Sequence, residues 1–538
     1  MKLKINNQEI TVPEGLSVMG AARLKGIQIP SLCYREGKPH FTSCMICMVK
    51  DNKTGKLFPS CSVKAAEGMD VITRDAEVEE SRRMALELLL SDHVGDCEAP
   101  CQVTCPAHMD IPEMNRLLAE GKFDEALKVV RNDIALPAVF GRICPAPCEG
   151  ACRRKSVDSA VSICLLKRYA GDHNLEGANP YIPEKAPDSG KKIAIIGAGP
   201  AGLAAAYYLQ VRGHQCDVYD RRKNPGGSLW DEIEKNVLPR EVLEAEIGVI
   251  QELGAWFYPE TEVDTEEFQK LLKKFDAILI CTGQLDDSQD DAHTDIISRY
   301  GLKMADKGID SAKGLYTTSN EKVFAAGSVL RPSKLAIRTL GQGKEVAYSI
   351  DQYLKGEEIR GEPFMFNSRF GKIMEGEIVE YLKESYEGPR LEPESLSLGL
   401  SKAQVIAEAA RCLHCDCRAI DDCKLRTLSD EYKANQKHYW SEDRKAVQKF
   451  GFSQENKTIQ EEFVIYEPNK CIKCGICVRI TEEHKEKFGM SFIGRGFDVV
   501  VGVPFDEALK DGIADVAEQV VKECPTGALA GAGEKYEV

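Results

Sequence analysis

The chain has 538 residues, a formal charge of −15 and an isoelectric point near 5.3. That length predicts several domains, and the acidic balance argues against nucleic acid as a partner. No uninterrupted apolar run reaches membrane-spanning length: the longest candidate, Ile193–Leu209, is broken by three glycines and a proline.

All but two of the 21 cysteines fall into four tight blocks. The exceptions, Cys216 and Cys281, stand alone in apolar stretches. Disulfides need an oxidising compartment, yet the start MKLKINNQEI has no apolar signal core, so a cytoplasmic location is expected. Zinc sites usually pair two C-x2-C knuckles at moderate spacing, which only the Cys415 region approaches. Iron–sulfur clusters, with four protein ligands each and thiolates as the usual donors, account for the blocks. The blocks hold one cysteine fewer than five complete clusters need. His93, four residues before Cys97, is the candidate for the missing ligand.

In chain order, Lys2–Ile5 and Glu9–Val12 alternate as short strands, Val18–Lys25 reads as a helix, and the first block follows. It runs Cys33, Cys44, Cys47 and Cys61, spaced C-x10-C-x2-C-x13-C, with a strand at Met48–Lys50 beside the loop. This resembles the β-grasp 2Fe–2S domain that opens the complex I large subunit and related hydrogenase and formate dehydrogenase chains. Its first gap is ten residues rather than the four of plant-type ferredoxins.

Helical periodicity marks Glu77–Leu90, Ile111–Leu118 and Phe123–Val130. The second block lies among them: Cys97, Cys101, Cys105, Cys144, Cys148, Cys152 and Cys164. It resembles the two-cluster helical domain of the glutamate synthase small subunit and of dihydropyrimidine dehydrogenase, where the clusters interleave their ligands. The resemblance implies that Cys97, Cys101 and Cys152 serve one cubane and that Cys105, Cys144 and Cys148 serve the other. Cys164 is expected to complete the second, being about one helical turn from the position where that family supplies a non-cysteine ligand. In the first, the family's leading cysteine corresponds to Val94, so His93, another residue, hydroxide or a three-iron cluster fills the gap.

Lys192–Ile196 reads as a buried parallel strand running into Gly197, Gly199 and Gly202 and a helix over Leu203–Val211. Such glycines let the backbone approach a pyrophosphate at a helix N-terminus. The next strand, Cys216–Asp220, ends in an acid suited to a ribose hydroxyl. The segments around Gly226-Gly227, Thr282-Gly283 and Gly327-Ser328 resemble successive FAD-contacting segments of the glutamate synthase small subunit family. Ser328 stands where that family carries an aspartate. Members also carry a second, NADPH-binding domain between the last two segments; here only 43 residues separate Gly283 from Gly327, including the acidic stretch Gln284–Asp291, and no second G-x-G-x-x-G occurs.

A helix over Leu335–Leu354 leads to a polar connection and an amphipathic segment, Lys402–Arg411. The third block follows, with Cys412, Cys415, Cys417 and Cys423 expected to wrap one cubane and His414 a bystander. The last block is Cys471, Cys474, Cys477 and a distant Cys524. In two-cluster ferredoxins the fourth cysteine of each run ligates the other cluster. Here Thr481 occupies that position in the first run, and the second run keeps only its last cysteine, which leaves one complete site.

The expected fold class is multidomain α/β. It comprises a β-grasp 2Fe–2S domain at 1–75, a helical domain with two 4Fe–4S clusters at 76–185 and a Rossmann-like FAD domain at 186–360 without a second nucleotide-binding domain. A linker with a cysteine motif covers 361–440, and a ferredoxin-like 4Fe–4S domain covers 441–538. The expected cofactors are FAD, one 2Fe–2S and four 4Fe–4S clusters. No Ser/His/Asp set or carboxylate pair suggests bond-breaking chemistry, so no catalytic side chain is named. The resemblances imply an electron-relay subunit of a larger, electron-bifurcating redox complex. Its implied partners are a formate dehydrogenase or hydrogenase catalytic subunit and an NAD(P)H- or ferredoxin-reactive flavoprotein. The alternative is a self-contained NAD(P)H oxidoreductase of the glutamate synthase small-subunit type.

Overall fold

A computed structural model describes residues 1–177, 180–285, 300–383, 385–441, 444–452 and 464–531. Most of the acidic stretch Gln284–Asp291 lies outside them. The chain forms two compact units, and neither is continuous in sequence. The first holds residues 1–98, 365–383 and 415–538; the second holds 99–364 and 384–414. The stretch read as a linker, 361–440, is thus shared between them. Among the described residues no helix is long and apolar enough to cross a membrane.

The first unit opens with a five-stranded sheet. Lys2–Ile5 pairs antiparallel with Gln8–Thr11 and parallel with Asp70–Ile72; Met48–Asp51 joins antiparallel to Asp70–Ile72 and carries Leu57–Pro59 on its other edge. The alternation of Lys2–Ile5 sends Leu3 and Ile5 inward, against the helix Val18–Arg23 with its buried Val18, Met19, Ala21 and Ala22. Ser17 caps that helix by accepting from Gly20 N at 3.1 Å. A second core joins helix Ala76–Ser91 to strands Val464–Tyr466 and Leu529–Gly531 and to helix Ile476–His484, and Phe450–Phe452 pairs with Val464–Tyr466 at the edge of that sheet.

The second unit begins with short helices, from Pro100–Thr104 to Ile163–Glu176. Helices Pro137–Ile143 and Ile163–Glu176 cross at glycines: a Cβ on Gly141 would overlap Arg168 and one on Gly171 would overlap Ala138. A five-stranded, all-parallel sheet follows, in the order Val323–Ala325, Ala277–Ile280, Lys192–Ile196, Gln215–Tyr219, Trp256–Tyr258. Ala277–Ile280, and Lys192–Ile196 after its first residue, are apolar and buried because both faces of the sheet are covered. Helices Pro200–Val211 and Ala336–Lys355 pack together on this sheet. Gly343 permits the contact, since a side chain there would overlap Ala201 O.

Candidate functional site

In the first unit, Cys33, Cys44, Cys47 and Cys61 are all buried and share one neighbourhood. Cys33 is hydrogen-bonded to Cys44 and Cys47 to Cys61, while Cys33 also acts electrostatically on Cys47 and Cys61. The bond from Cys44 holds the Cys33 thiol down at about 5 and pushes Cys44 up. Leu32 N–H donates to Cys44 Sγ at 3.4 Å. Met45, in the left-handed region at φ 55°, turns the loop between Cys44 and Cys47. Peptide N–H groups aimed at sulfur are among the interactions that set cluster potentials.

Cys471, Cys474, Cys477 and Cys524 form a second set. Burial pushes Cys471 up to about 11, and the other thiols of the set act on Cys474 and Cys477 after burial itself. Lys473 N–H donates to Cys471 Sγ at 3.4 Å.

A third set joins residues more than 300 positions apart. Cys417 N–H donates to Cys97 O at 3.0 Å. Burial, then Cys417, pushes the Cys97 thiol up to about 12, and burial with Cys417 does the same to Cys423. Ser368 N–H donates to Cys97 Sγ and Arg426 N–H to Cys423 Sγ, both at 3.4 Å. The strip 96–98 is clamped by Phe370 N–H on Asp96 (2.9 Å) and by Asn367 and Arg426 on Glu98 (2.7 and 2.8 Å). His93 lies one turn earlier, buried, with Nδ1 on Lys470 O at 3.1 Å. Burial, reinforced by the Lys470 ammonium, pushes its imidazolium down to about 4, so the ring is neutral. Lys470 is itself buried and pairs with Glu467. Burial opposes its charge, but Glu467 and Cys417 outweigh burial and raise its pKa.

The expectation sets Cys97 with Cys101 and Cys152, and Cys417 and Cys423 with Cys412 and Cys415; the structure places Cys97 beside Cys417 and Cys423. Sequence spacing carries no trace of the clamp from residues 366–370 that turns Cys97 toward them.

In the second unit, Cys144 is hydrogen-bonded to Cys164, and Cys164 to Cys148. The Lys167 ammonium, buried one turn beyond Cys164, feels all four thiols: Cys164, Cys144, Cys148 and Cys105. Cys164 N–H donates to Glu149 Oε1 at 3.0 Å, which anchors the start of its helix. Cys101 lies on helix Pro100–Thr104, Cys152 opens the turn Arg153–Ser156, and Cys412 is buried just past helix Lys402–Ala409. Among the described residues no three His, Cys, Asp or Glu side chains close on a single ion.

The dinucleotide segment occupies the sheet's carboxyl edge. Gly197 has φ +106°, and a Cβ there would overlap Cys281 O; one on Gly202 would overlap Gly197 O. Gly199, at the N-cap of Pro200–Val211, has open space where a Cβ would stand, so the residues fit a pyrophosphate against free helix N–H groups. Gly227 lies across from Gly199, with a Cβ there 2.9 Å from Gly199 Cα. Asp220 folds back, accepting from Ala198 N (2.7 Å) and Arg222 N (2.8 Å). Gly283 follows the Ala277–Ile280 strand at φ +90°, and Gly327-Ser328 follows Val323–Ala325.

Three residues that the sequence reading passed over tie this segment to the thiols of the same unit. Gln342 Oε1 accepts from Gly327 N at 3.0 Å. Beside it, Gly341 lies so close to Pro106 O, next to Cys105, that a Cβ would overlap it. Lys344 Nζ then holds Ala107 O and Asp133 Oδ1, both at 3.0 Å. The available signal was a pair of glycines flanking Gln342 inside a helix, where each costs about 1 kcal/mol unless another backbone approaches.

Family models match four stretches of the chain. They are a 2Fe-2S iron-sulfur cluster binding domain over residues 1–76 and dihydropyrimidine dehydrogenase domain II, 4Fe-4S cluster, over 74–178. An NAD(P)-binding Rossmann-like domain matches over 195–244 and the NADH-quinone oxidoreductase subunit 3 ferredoxin-like domain over 461–530. The chain carries iron–sulfur electron-transfer domains. It is 41% identical over 189 residues to the NADPH-Fe(3+) oxidoreductase subunit beta of Geobacter sulfurreducens, covering 34% of this chain and 28% of that one. It is 38% identical over 207 residues to the NADP(+)-dependent formate dehydrogenase subunit beta of Moorella thermoacetica (34% and 29%). With the glutamate synthase [NADPH] small chain of Bacillus subtilis it shares 37% identity over 201 residues (35% and 40%). The chain thus spans well under half the length of these curated relatives.

Proposed function

We propose that the chain is an electron-relay subunit carrying FAD, one 2Fe–2S and four 4Fe–4S clusters between a catalytic subunit and a flavoprotein subunit. The observation that carries this reading is the shared core of the first unit. Cys33 and Cys44 of the first set, Cys474 of the second and Cys423 of the third line one continuous buried cluster of side chains, with Cys471, Cys477 and Cys524 packed against it. Three ligand sets meeting at one apolar core suit electron transfer. The clusters supply one-electron steps and the flavin one- or two-electron steps.

The ligand assignment follows the neighbourhoods. Cys33, Cys44, Cys47 and Cys61 hold the 2Fe–2S site; Cys471, Cys474, Cys477 and Cys524 hold one cubane; Cys105, Cys144, Cys148 and Cys164 hold another. Cys97, Cys417 and Cys423 hold a third, with His93 as its fourth donor. Lys470 O engages His93 Nδ1, which orients the neutral ring and leaves Nε2 as the donor. Cys101, Cys152 and Cys412, all of the second unit, are assigned to a fourth cubane. Gly197, Gly199, Gly202, Asp220, Gly227, Gly283, Gly327 and Ser328 form the FAD site, and Gln342 couples it to the Cys105 loop.

The match to an NAD(P)-binding Rossmann-like domain over 195–244 supports a second reading, a self-contained NAD(P)H oxidoreductase. Anaerobic purification with iron, sulfide and flavin analysis, followed by addition of NADH or NADPH, separates the two. About 18 irons and one FAD without bleaching are the relay outcome. Rapid bleaching by either nucleotide makes the chain itself the nicotinamide oxidase.

A further inference from the structure

Lys470 stands at a junction. Its carbonyl accepts from His93 Nδ1 and from Thr526 Oγ1, both at 3.1 Å. Thr526 Oγ1 is in turn 3.8 Å from Cys524 Sγ. Its side chain leaves the Cys471 motif and runs along Gly95, where a Cβ would come within 2.8 Å of Lys470 Cε. Gly95 sits midway between His93 and Cys97, so the bare backbone at 95 is what admits the lysine stem. The ammonium ends buried against Glu467, and its charge reaches Cys97 and Cys417. The main chain of Lys470 therefore belongs to one ligand set while its charge is delivered to another.

A buried lysine on a short turn is costly unless its charge is used. The Lys470 cation acts on both Cys97 and Cys417, the Glu467 and Asp416 carboxylates act on Cys417, and the Arg426 guanidinium acts on Cys97. One-electron reduction at this ligand set adds one negative charge inside a region of low dielectric, where a fixed cation favours the reduced state far more than it would in water.

We propose that Lys470 is the charge-setting and positioning residue of the Cys97/Cys417/Cys423 site, raising its reduction potential, with Glu467 limiting the rise. The inference rests on the ligand assignment above. Electrons reaching this site from the Cys471 set would thereby be drawn toward the site that holds the cation.

The test is potentiometric titration of the full chain, purified anaerobically, with dithionite as the one-electron reductant and EPR as the readout. Cys423→Ser identifies the signal of this site. In K470M that signal should titrate at a more negative midpoint, in E467Q at a more positive one, and in K470R near the parent value, with iron content kept in all three. Opposite shifts from removing a cation and removing its carboxylate partner are an electrostatic signature that a packing defect does not produce. Shifts of the same sign, or none, overturn the inference while leaving the ligand assignment standing. Should K470M lose its iron, the E467Q midpoint decides alone: a positive shift supports the inference and an unchanged value overturns it. If Cys423→Ser removes no signal, the assignment falls and the inference falls with it.

Discussion

The two units solve the same problem by opposite routes. In the second, Cys105, Cys144, Cys148 and Cys164 come from one stretch of 60 residues and are gathered by adjacent helices. In the first, Cys97 lies beside Cys417 and Cys423 although the segments of the second unit separate them in sequence. The buried cations differ in the same way. Lys167 faces four thiols and has no ion pair among the described residues, whereas Lys470 is paired with Glu467. A local motif can hold an uncompensated charge because its own ligands supply the counter-charge. A site assembled from distant segments carries its compensation with it.

The largest effect expected to sharpen this contrast is loss of a cluster. Cys148→Ser should remove about four irons per chain and leave the first unit's EPR signals in place. Cys423→Ser should remove as many and also raise protease sensitivity within 365–383 and 415–440, which Cys97's surroundings hold together. Equal protease resistance in the two variants would break the comparison.

A smaller effect concerns buried ion pairs. Lys470 and Glu467 touch, but in the second unit Arg131 and Glu246 stand 3.6 Å apart, both buried. Burial pushes Glu246 up to about 7 from 4.5. Between pH 4.5 and 7 the folded state keeps a proton that the unfolded chain has released, so stability falls as pH rises through that window and is flat above it. Glu246→Gln should abolish this slope. Denaturant unfolding at several pH values checks it; an unchanged slope would place the titration elsewhere.

The smallest effect is a potential. Lys167→Met should move the midpoint of the Cys105 set to a more negative value, and by more than Lys470→Met moves its own site, because no carboxylate offsets Lys167. Equal shifts in the two titrations would show that Glu467 does not screen Lys470.

Much of this was legible along the chain. The strands Lys2–Ile5 and Lys192–Ile196 and the helix following Gly199 stand where alternation, apolar runs and glycine spacing put them. Cys33, Cys44, Cys47 and Cys61 lie in one neighbourhood, and Cys105, Cys144, Cys148 and Cys164 in another. What escaped was contact made by residues with no chemical signature of their own. Gly341, Gly343 and Gly95 matter because backbone or a lysine stem passes over them, and Lys167 and Lys470 look like surface lysines until burial is known. The regrouping of Cys97 escaped for a related reason: Ser368 and Phe370, which clamp its strip, act through backbone N–H groups that every residue has.

The sequence by itself determined the cysteine blocks, the dinucleotide turn and the order of the iron–sulfur and Rossmann-like modules, because thiol spacing and glycine conformation are properties of residues and short segments. Only the tertiary structure decided which thiols share a site and which cation each site feels. Those depend on distances between segments hundreds of residues apart, and such distances are set by packing rather than by any local preference.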